Sequence, residues 1–233
     1  MNELLFSATA PFTLDIPYHL YSTGPRKSKP LLIYLHGYKQ NGMLFKRKVQ
    51  SLFNINAYHL LLQGPYPIYD EKGSRWVNQW GRAWYLYDGN SEQFKNSLEK
   101  TSVFIDKILT EVLTQIKVNR TGIIGYSMGG YLAGYFGLSR SNLIDDMIVI
   151  GSRIKVEYFL NNHYSSLALI ALHGKNDLLV SAHNQQKSCE ALKQLGAAVT
   201  FKILDEGHSL TQTYLQEAKA WLLGQGYTTL KDV

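Results

Sequence analysis

The stretch Thr121-Gly-Ile-Ile-Gly-Tyr-Ser-Met-Gly-Gly130 joins a short apolar run to a segment rich in small residues that continues to Leu138. The run before Gly125 has the length of a strand, and the segment after Ser127 has the length of a helix. Glycine has no Cβ, so the glycines on both sides of Ser127 permit a tight turn and a close approach of strand and helix. The stretch therefore predicts a buried strand, a sharp turn at Ser127 and a helix packed tightly against the sheet.

Runs of strand length elsewhere in the chain alternate with helical patterns. The first five runs are almost wholly apolar, as is typical of strands covered on both faces in a parallel sheet. Alternation of this kind predicts βα units, and hence an α/β fold with a mostly parallel central sheet and helices on both faces. The predicted strands are 31–35, 58–62, 121–125, 147–150, 167–172 and 199–204, and the predicted helices are 91–117, 128–138, 184–195 and 211–223.

Composition predicts the number of domains, and the pattern near the N-terminus predicts one edge of the sheet. With 233 residues, 45% hydrophobic and 18% charged, the chain is typical of one globular domain over residues 1–233. Residues 12–16 and 18–21 alternate apolar and polar side chains, which predicts an antiparallel N-terminal edge on the sheet.

One segment, residues 64–90, contains many Trp, Tyr, Gly and Pro residues and fits no regular element. Long irregular loops in compact domains are uncommon and are usually functional or mobile. We therefore predict an insertion or lid-like loop, with Trp76, Trp80 and Trp84 as candidates for substrate binding. The alternative is that these side chains only pack beside the sheet.

The turn at Ser127 fits the nucleophile elbow, in which Gly-x-Ser-x-Gly follows a strand and opens a helix. A serine hydroxyl is a poor nucleophile at neutral pH, so it needs a base, and the base needs an orienting acid. Asp177 follows the strand 167–172, and His208 follows the strand 199–204. Because the carboxyl ends of parallel strands meet at one sheet edge, these three side chains are predicted to form a Ser-His-Asp triad.

Other acids and histidines fit these roles less well. Asp205 is too close to His208 in sequence to come from a separate strand end, whereas Asp145 and Asp146 precede a strand and belong to the opposite edge. His173 is interpreted as structural, shaping the loop of Asp177. His163 and His183 are predicted to lie on the surface.

Acyl transfer also requires two N–H donors for the oxyanion. The residue after the nucleophile supplies one donor, here the backbone N–H of Met128. The other comes from the loop that follows an earlier strand, and His36-Gly-Tyr-Lys-Gln-Asn-Gly42 is that loop in this chain. The backbone N–H of Tyr38 is the best candidate there.

Charge, cysteine content and hydropathy limit the classes of partner and cofactor that are expected. The net charge is +6, but the basic residues are dispersed and the densest cluster, Arg26-Lys27-Lys29, is short, so no nucleic-acid partner is expected. The single cysteine, Cys189, excludes intrachain disulfides and paired-cysteine metal sites, and neither a metal nor a cofactor is predicted. The absence of a signal-like N-terminus and of a long apolar run predicts a cytoplasmic protein without membrane insertion.

Four motifs resemble those of the α/β-hydrolase superfamily and, within it, the phospholipase/carboxylesterase group that includes acyl-protein thioesterase-like enzymes. They are Leu35-His-Gly-Tyr-Lys-Gln-Asn-Gly42, Gly125-Tyr-Ser-Met-Gly-Gly130, His173-Gly-Lys-Asn-Asp177 and Glu206-Gly-His208. That group usually carries Phe-Ser-Gln-Gly at the elbow, where this chain has Tyr126-Ser-Met-Gly129. The resemblance covers roughly residues 10–225 and implies an α/β-hydrolase fold.

Together these observations predict a serine carboxylesterase-type hydrolase that cleaves small or acyl-chain esters or thioesters through an acyl-enzyme. Two alternatives stay open: the same triad cleaving an amide or peptide bond, and a hydrolase-fold binding protein without turnover. The sequence leaves the acyl-chain length of the substrate open. It also leaves the oligomeric state open, and a homodimer is one of the possible states.

Overall fold

The central feature of the computed structural model, which describes residues 4–10, 13–25, 27–69 and 73–232, is a mostly parallel sheet. Seven strands of the described residues form it, and only the first pair is antiparallel. The sheet thus combines parallel βα units with an antiparallel N-terminal edge. In spatial order its strands are β1 (His19–Ser22), β3 (Tyr58–Leu61), β2 (Lys29–Leu35), β6 (Val118–Tyr126), β7 (Asp146–Ile150), β8 (Ala168–Gly174) and β9 (Ala198–Leu204).

Helices cover both faces of this sheet, and each face has its own apolar core. One core joins the sheet to the second, third and fourth helices, for example through Leu98, Leu132 and Leu192. The other joins it to the first and fifth helices through residues such as Phe45 and Leu215. The helices are α1 (Gly42–Lys48), α2 (Ser91–Gln115), α3 (Met128–Ser139), α4 (Ala182–Gln194) and α5 (Gln212–Gly224). This arrangement confirms the predicted α/β-hydrolase fold.

The predicted elements differ from the observed ones mainly near the N-terminus and in segment 64–90. Residues 13–16 form no strand, Phe12 lies outside the described residues, and β1 alone provides the antiparallel edge. Segment 64–90, apart from the undescribed residues 70–72, contains a two-stranded antiparallel sheet of β4 (Tyr66–Ile68) and β5 (Gly81–Ala83). The segment is therefore partly regular.

Helix α1 was not predicted, although local sequence carries a signal for it. The side chain of Asn41 accepts a hydrogen bond from the backbone N–H of Leu44 and so caps the helix N-terminus. Phe45 within the helix and Val49 at its C-cap, four residues apart, are both buried. In the described part of the chain, no helix combines the length and apolar character that a membrane crossing requires.

Candidate active site

The loops that leave β6, β8 and β9 bring Ser127, Asp177 and His208 together at one edge of the sheet. The Oγ of Ser127 lies 2.8 Å from Nε2 of His208, and Nδ1 of His208 lies 2.7 Å from Oδ2 of Asp177. Both distances are those of hydrogen bonds, so the three side chains form one continuous series. We call them the Ser-His-Asp group.

Ser127 occupies a turn that few residues other than glycine adopt. Its φ of 52° and ψ of −117° place it in a sparsely populated region of backbone space, which costs about 1–3 kcal/mol. Its N–H donates to the carbonyl of Ile150 (2.9 Å), and its carbonyl accepts from the N–H groups of Gly130 and Tyr131. These contacts fix the turn and expose part of the Ser127 side chain at the start of α3.

Two glycines let α3 approach the sheet at this turn. A Cβ on Gly125 would lie 2.3 Å from the carbonyl oxygen of Gly129, and a Cβ on Gly129 would lie 2.3 Å from that of Leu35. Both contacts are with backbone atoms, which a side-chain rotation cannot relieve. The glycines flanking Ser127 are therefore required by the packing of α3 against β6 and β2.

We expect Gly129→Ala to destabilise the fold by about 2–3 kcal/mol, because the added methyl overpacks a rigid backbone contact. The measurement is the free energy of unfolding from urea titration. Gly224→Ala is the matched control, since no atom of the described residues outside its own stretch of helix lies within 4 Å of a Cβ at that position. Alanine is the better helix former, so this control is expected to keep or slightly raise stability. A Gly129→Ala variant as stable as wild type would contradict the packing argument.

The carboxylate of Asp177 is held in one orientation by its own loop. Its Oδ1 accepts hydrogen bonds from the backbone N–H groups of Leu179 (2.9 Å) and Val180 (3.0 Å), which leaves Oδ2 for His208. Burial acts to raise the pKa of Asp177, but the hydrogen bonds from His208, Val180 and Leu179 outweigh it, and the net pKa is lowered. Asp177 is therefore ionised at neutral pH, so Nδ1 of His208 carries the proton and Nε2 accepts from Ser127.

One residue beyond the predicted set holds His208 in place, and a second lies close to it. The hydroxyl of Tyr126 donates to the carbonyl oxygen of His208 at 2.8 Å. Gly151 follows β7 with a φ of +54°, and a Cβ there would lie 3.6 Å from Nδ1 of His208 and 3.7 Å from Oδ2 of Asp177. The signal for Gly151 was its place after a predicted strand at the same sheet edge, whereas nothing in the sequence pointed to Tyr126.

The loop after β2 lies directly against the start of α3. A Cβ on Gly129 would sit 2.5 Å from the carbonyl oxygen of His36 as well as close to Leu35. Within the described residues, neither the N–H of Tyr38 nor that of Met128 donates a hydrogen bond to the protein. Both predicted oxyanion donors therefore remain available for another acceptor.

His36 fixes the conformation of this loop. Its Nδ1 bonds to the carbonyl of Gly37 (2.8 Å), and its Nε2 accepts from the N–H of Gly64 (3.0 Å). Burial lowers the pKa of His36 to about 4, so the ring is neutral and can both donate and accept. The side chain thereby ties the loop after β2 to the loop after β3.

The three predicted tryptophans have different environments. Trp84 is fully buried, its indole N–H donates to the carbonyl of His36 at 2.7 Å, and its ring packs on the His36 ring. The alternative of a packing role therefore applies to Trp84, which supports the loop after β2 through these contacts.

Trp76 is 70% exposed, while Trp80 is half-buried, with its indole N–H bonded to the carbonyl of Ser74. The Asn41 side chain bonds the carbonyls of Gln79 and Trp80 and so holds this segment beside the loop after β2.

The other acids and histidines of the sequence lie outside the Ser-His-Asp group. Asp205 is exposed and bonds Asn176, and Asp146 is buried at the opposite edge in an ion pair with Arg120. His173 bonds the carbonyl of Val180 (2.8 Å) and so braces the loop of Asp177, as interpreted from the sequence.

Across the described ranges, no cluster of three or more His, Cys, Asp or Glu side chains is suited to hold a metal ion.

Comparisons with known proteins identify a family and several similar structures. The model of the phospholipase/carboxylesterase family matches residues 22–223. The Bacillus cereus carboxylesterase is similar in structure, with a TM-score of 0.69 and 20% identity over 88% of this chain and 92% of that chain. Esterase PE8 gives 0.76 and 20% over 91% and 99%. Arabidopsis thaliana SOBER1 gives 0.67 and 19% over 84% and 98%. At these identities the structural likeness shows the fold alone.

Proposed function

The chain belongs to the phospholipase/carboxylesterase family of hydrolases, and we propose that it is a serine esterase that cleaves carboxylic esters or thioesters through an acyl-enzyme. Ser127 is the proposed nucleophile, His208 the general base and Asp177 the acid that orients it. The observation that carries the proposal is the unbroken series of hydrogen bonds from Ser127 through His208 to Asp177. Such a series supplies the base and the orienting group that a serine hydroxyl lacks by itself.

In the first proposed step, Oγ of Ser127 attacks the ester carbonyl while Nε2 of His208 takes the hydroxyl proton. Negative charge then moves to the carbonyl oxygen, where the unpaired N–H groups of Tyr38 and Met128 are suited to receive it. The C–O or C–S bond of the substrate breaks, and the leaving alcohol or thiol takes the proton from His208. The acyl group remains as an ester on Ser127.

In the second step, a water molecule gives a proton to His208 and attacks the acyl carbon. The bond to Ser127 breaks, Oγ recovers the proton from His208, and the free acid leaves. Asp177 stays ionised in both steps and stabilises the positive charge that His208 carries in each transition state. This role agrees with the lowered pKa of its carboxyl group.

A fluorophosphonate probe tests the nucleophile directly, because it forms a stable adduct only with an activated serine. We expect stoichiometric labelling at Ser127, located by mass spectrometry of the proteolysed protein. Ser152→Ala is the matched control for a nearby buried hydroxyl and is expected to label normally. Absence of labelling in the folded wild type, or labelling at another serine, would contradict the proposal.

A further inference from the structure

Four aromatic side chains and one lysine line a partly open cavity of about 250 Å³. Its lining consists of Tyr85, Tyr87, Phe94, Tyr131 and Lys155. The volume lies just below the roughly 300–1,000 Å³ that is usual for drug-sized ligands. The cavity is therefore of a size for a single ring with a small substituent.

The aromatic lining is ordered by edge-to-face contacts centred on Phe94. Its ring centroid lies 4.8 Å from that of Tyr85 and 5.2 Å from that of Tyr87, both in T-shaped geometry. Tyr85 and Phe94 are buried and form the floor, while Tyr87 is exposed at the rim. A flat aromatic group entering this cavity meets ring faces and edges in the arrangement that aromatic pairs prefer.

Two residues that line the cavity lie close in sequence to the residues at or beside the Ser-His-Asp group. Tyr131 follows Ser127 by one helical turn, a rise of about 5–6 Å, and its N–H bonds the carbonyl of Ser127 at 3.2 Å. Lys155 follows Gly151 by four residues on the loop after β7, and Gly151 faces His208 and Asp177. An acyl group bound on Ser127 therefore has the cavity beside it.

Lys155 gives the cavity its charge. Its side chain is only 22% exposed, and its Nζ lies 5.9 Å from the centroid of the Phe94 ring. Its carboxylate partner, Glu157 at 3.4 Å, also pairs with Arg153 at 3.0 Å. Two cations thus share one carboxylate, which leaves one positive charge in excess at a largely desolvated position.

We propose that this cavity binds an aromatic acyl group that carries a carboxylate, with the ring among the tyrosines and the carboxylate on Lys155. The inference rests on the proposed function, because it treats the cavity as the acyl subsite of Ser127. A charge-assisted hydrogen bond to Lys155 distinguishes this substrate class from uncharged aromatic esters of the same size.

The test compares 4-nitrophenyl esters of 4-carboxybenzoic and 4-carbamoylbenzoic acid, which share size and leaving group but differ in charge. Rates are normalised to spontaneous hydrolysis of each ester. We expect kcat/KM to favour the carboxylate about tenfold in the wild type, the effect of one charge-assisted contact. Lys155→Met is expected to bring the ratio near one, and Lys155→Arg to retain most of it. Lys175→Met, which removes an exposed charge at the same sheet edge outside the cavity, is expected to leave the ratio unchanged.

Binding of benzene-1,4-dicarboxylate, the product of the charged ester, gives a readout that does not need turnover. By calorimetry, Ser127→Ala is expected to bind it about tenfold more tightly than Ser127→Ala/Lys155→Met. An unchanged wild-type ratio in Lys155→Met, an equal loss in Lys175→Met, or equal binding by the two alanine variants would overturn the subsite. Hydrolysis of 4-nitrophenyl acetate that survives Ser127→Ala would instead overturn the proposed function, while calorimetry still decides the subsite.

Discussion

Replacement of Ser127 by alanine is expected to lower kcat/KM for 4-nitrophenyl acetate by a factor on the order of 10⁵. The Oγ atom is the group that forms the proposed acyl-enzyme, and no other atom of the turn can take its place. The fold should persist, since among the described residues Oγ bonds only Nε2 of His208, at 2.8 Å. Loss of that hydrogen bond costs about 1 kcal/mol of stability. Steady-state kinetics and thermal unfolding measure the two effects separately.

Ser139→Ala is the matched control for this substitution. Ser139 lies at the opposite end of the same helix, where its hydroxyl bonds the carbonyl of Tyr135. We expect its activity to equal that of the wild type. If the Ser127→Ala protein were folded and retained more than about one per cent of wild-type kcat/KM, the nucleophile would have to be another group.

Much of the fold could be predicted because the deciding signals are local. An apolar run before Gly125 and small residues after Ser127 predict β6 and α3, and the glycines are explained by backbone contacts shorter than 3 Å. Once the strands are taken as parallel, chain order alone assigns Asp177 and His208 to the edge of Ser127. Chain topology therefore brings together residues that are 31 and 81 positions apart.

What the sequence did not predict depends on contacts between distant segments. Trp84 and Trp76 belong to the same segment, yet Trp84 is buried in an apolar core and bonds His36, 48 residues away, whereas Trp76 is exposed. The cavity beside Ser127 likewise combines segment 64–90, two helices and the loop after β7, so no single stretch carries its signature. Tyr126 has the ordinary appearance of a strand residue, and only the fold shows that its hydroxyl holds the backbone of His208.

Asp177→Asn is expected to lower kcat by about 10³–10⁴-fold while leaving substrate binding nearly unchanged. Oδ1 of residue 177 accepts from the N–H groups of Leu179 and Val180, so the amide oxygen of asparagine must occupy this position. The amide NH₂ then faces Nδ1 of His208, which has to become an acceptor. The His208 proton moves to Nε2 and points at Ser127, so this tautomer cannot take the serine proton.

Asp205→Asn is the matched control, because this nearby exposed carboxylate accepts a hydrogen bond from Asn176 and lies outside the Ser-His-Asp group. We expect its kcat to stay within about twofold of the wild type, as is usual for surface substitutions. A fluorophosphonate probe should label Asp177→Asn much more slowly than Asp205→Asn, since both probe and ester need the same tautomer of His208. If the two variants had equal kcat and equal labelling rates, the orienting acid would have to be a different carboxylate. The fixed orientation of the Asp177 carboxylate then would matter only for the structure of its own loop.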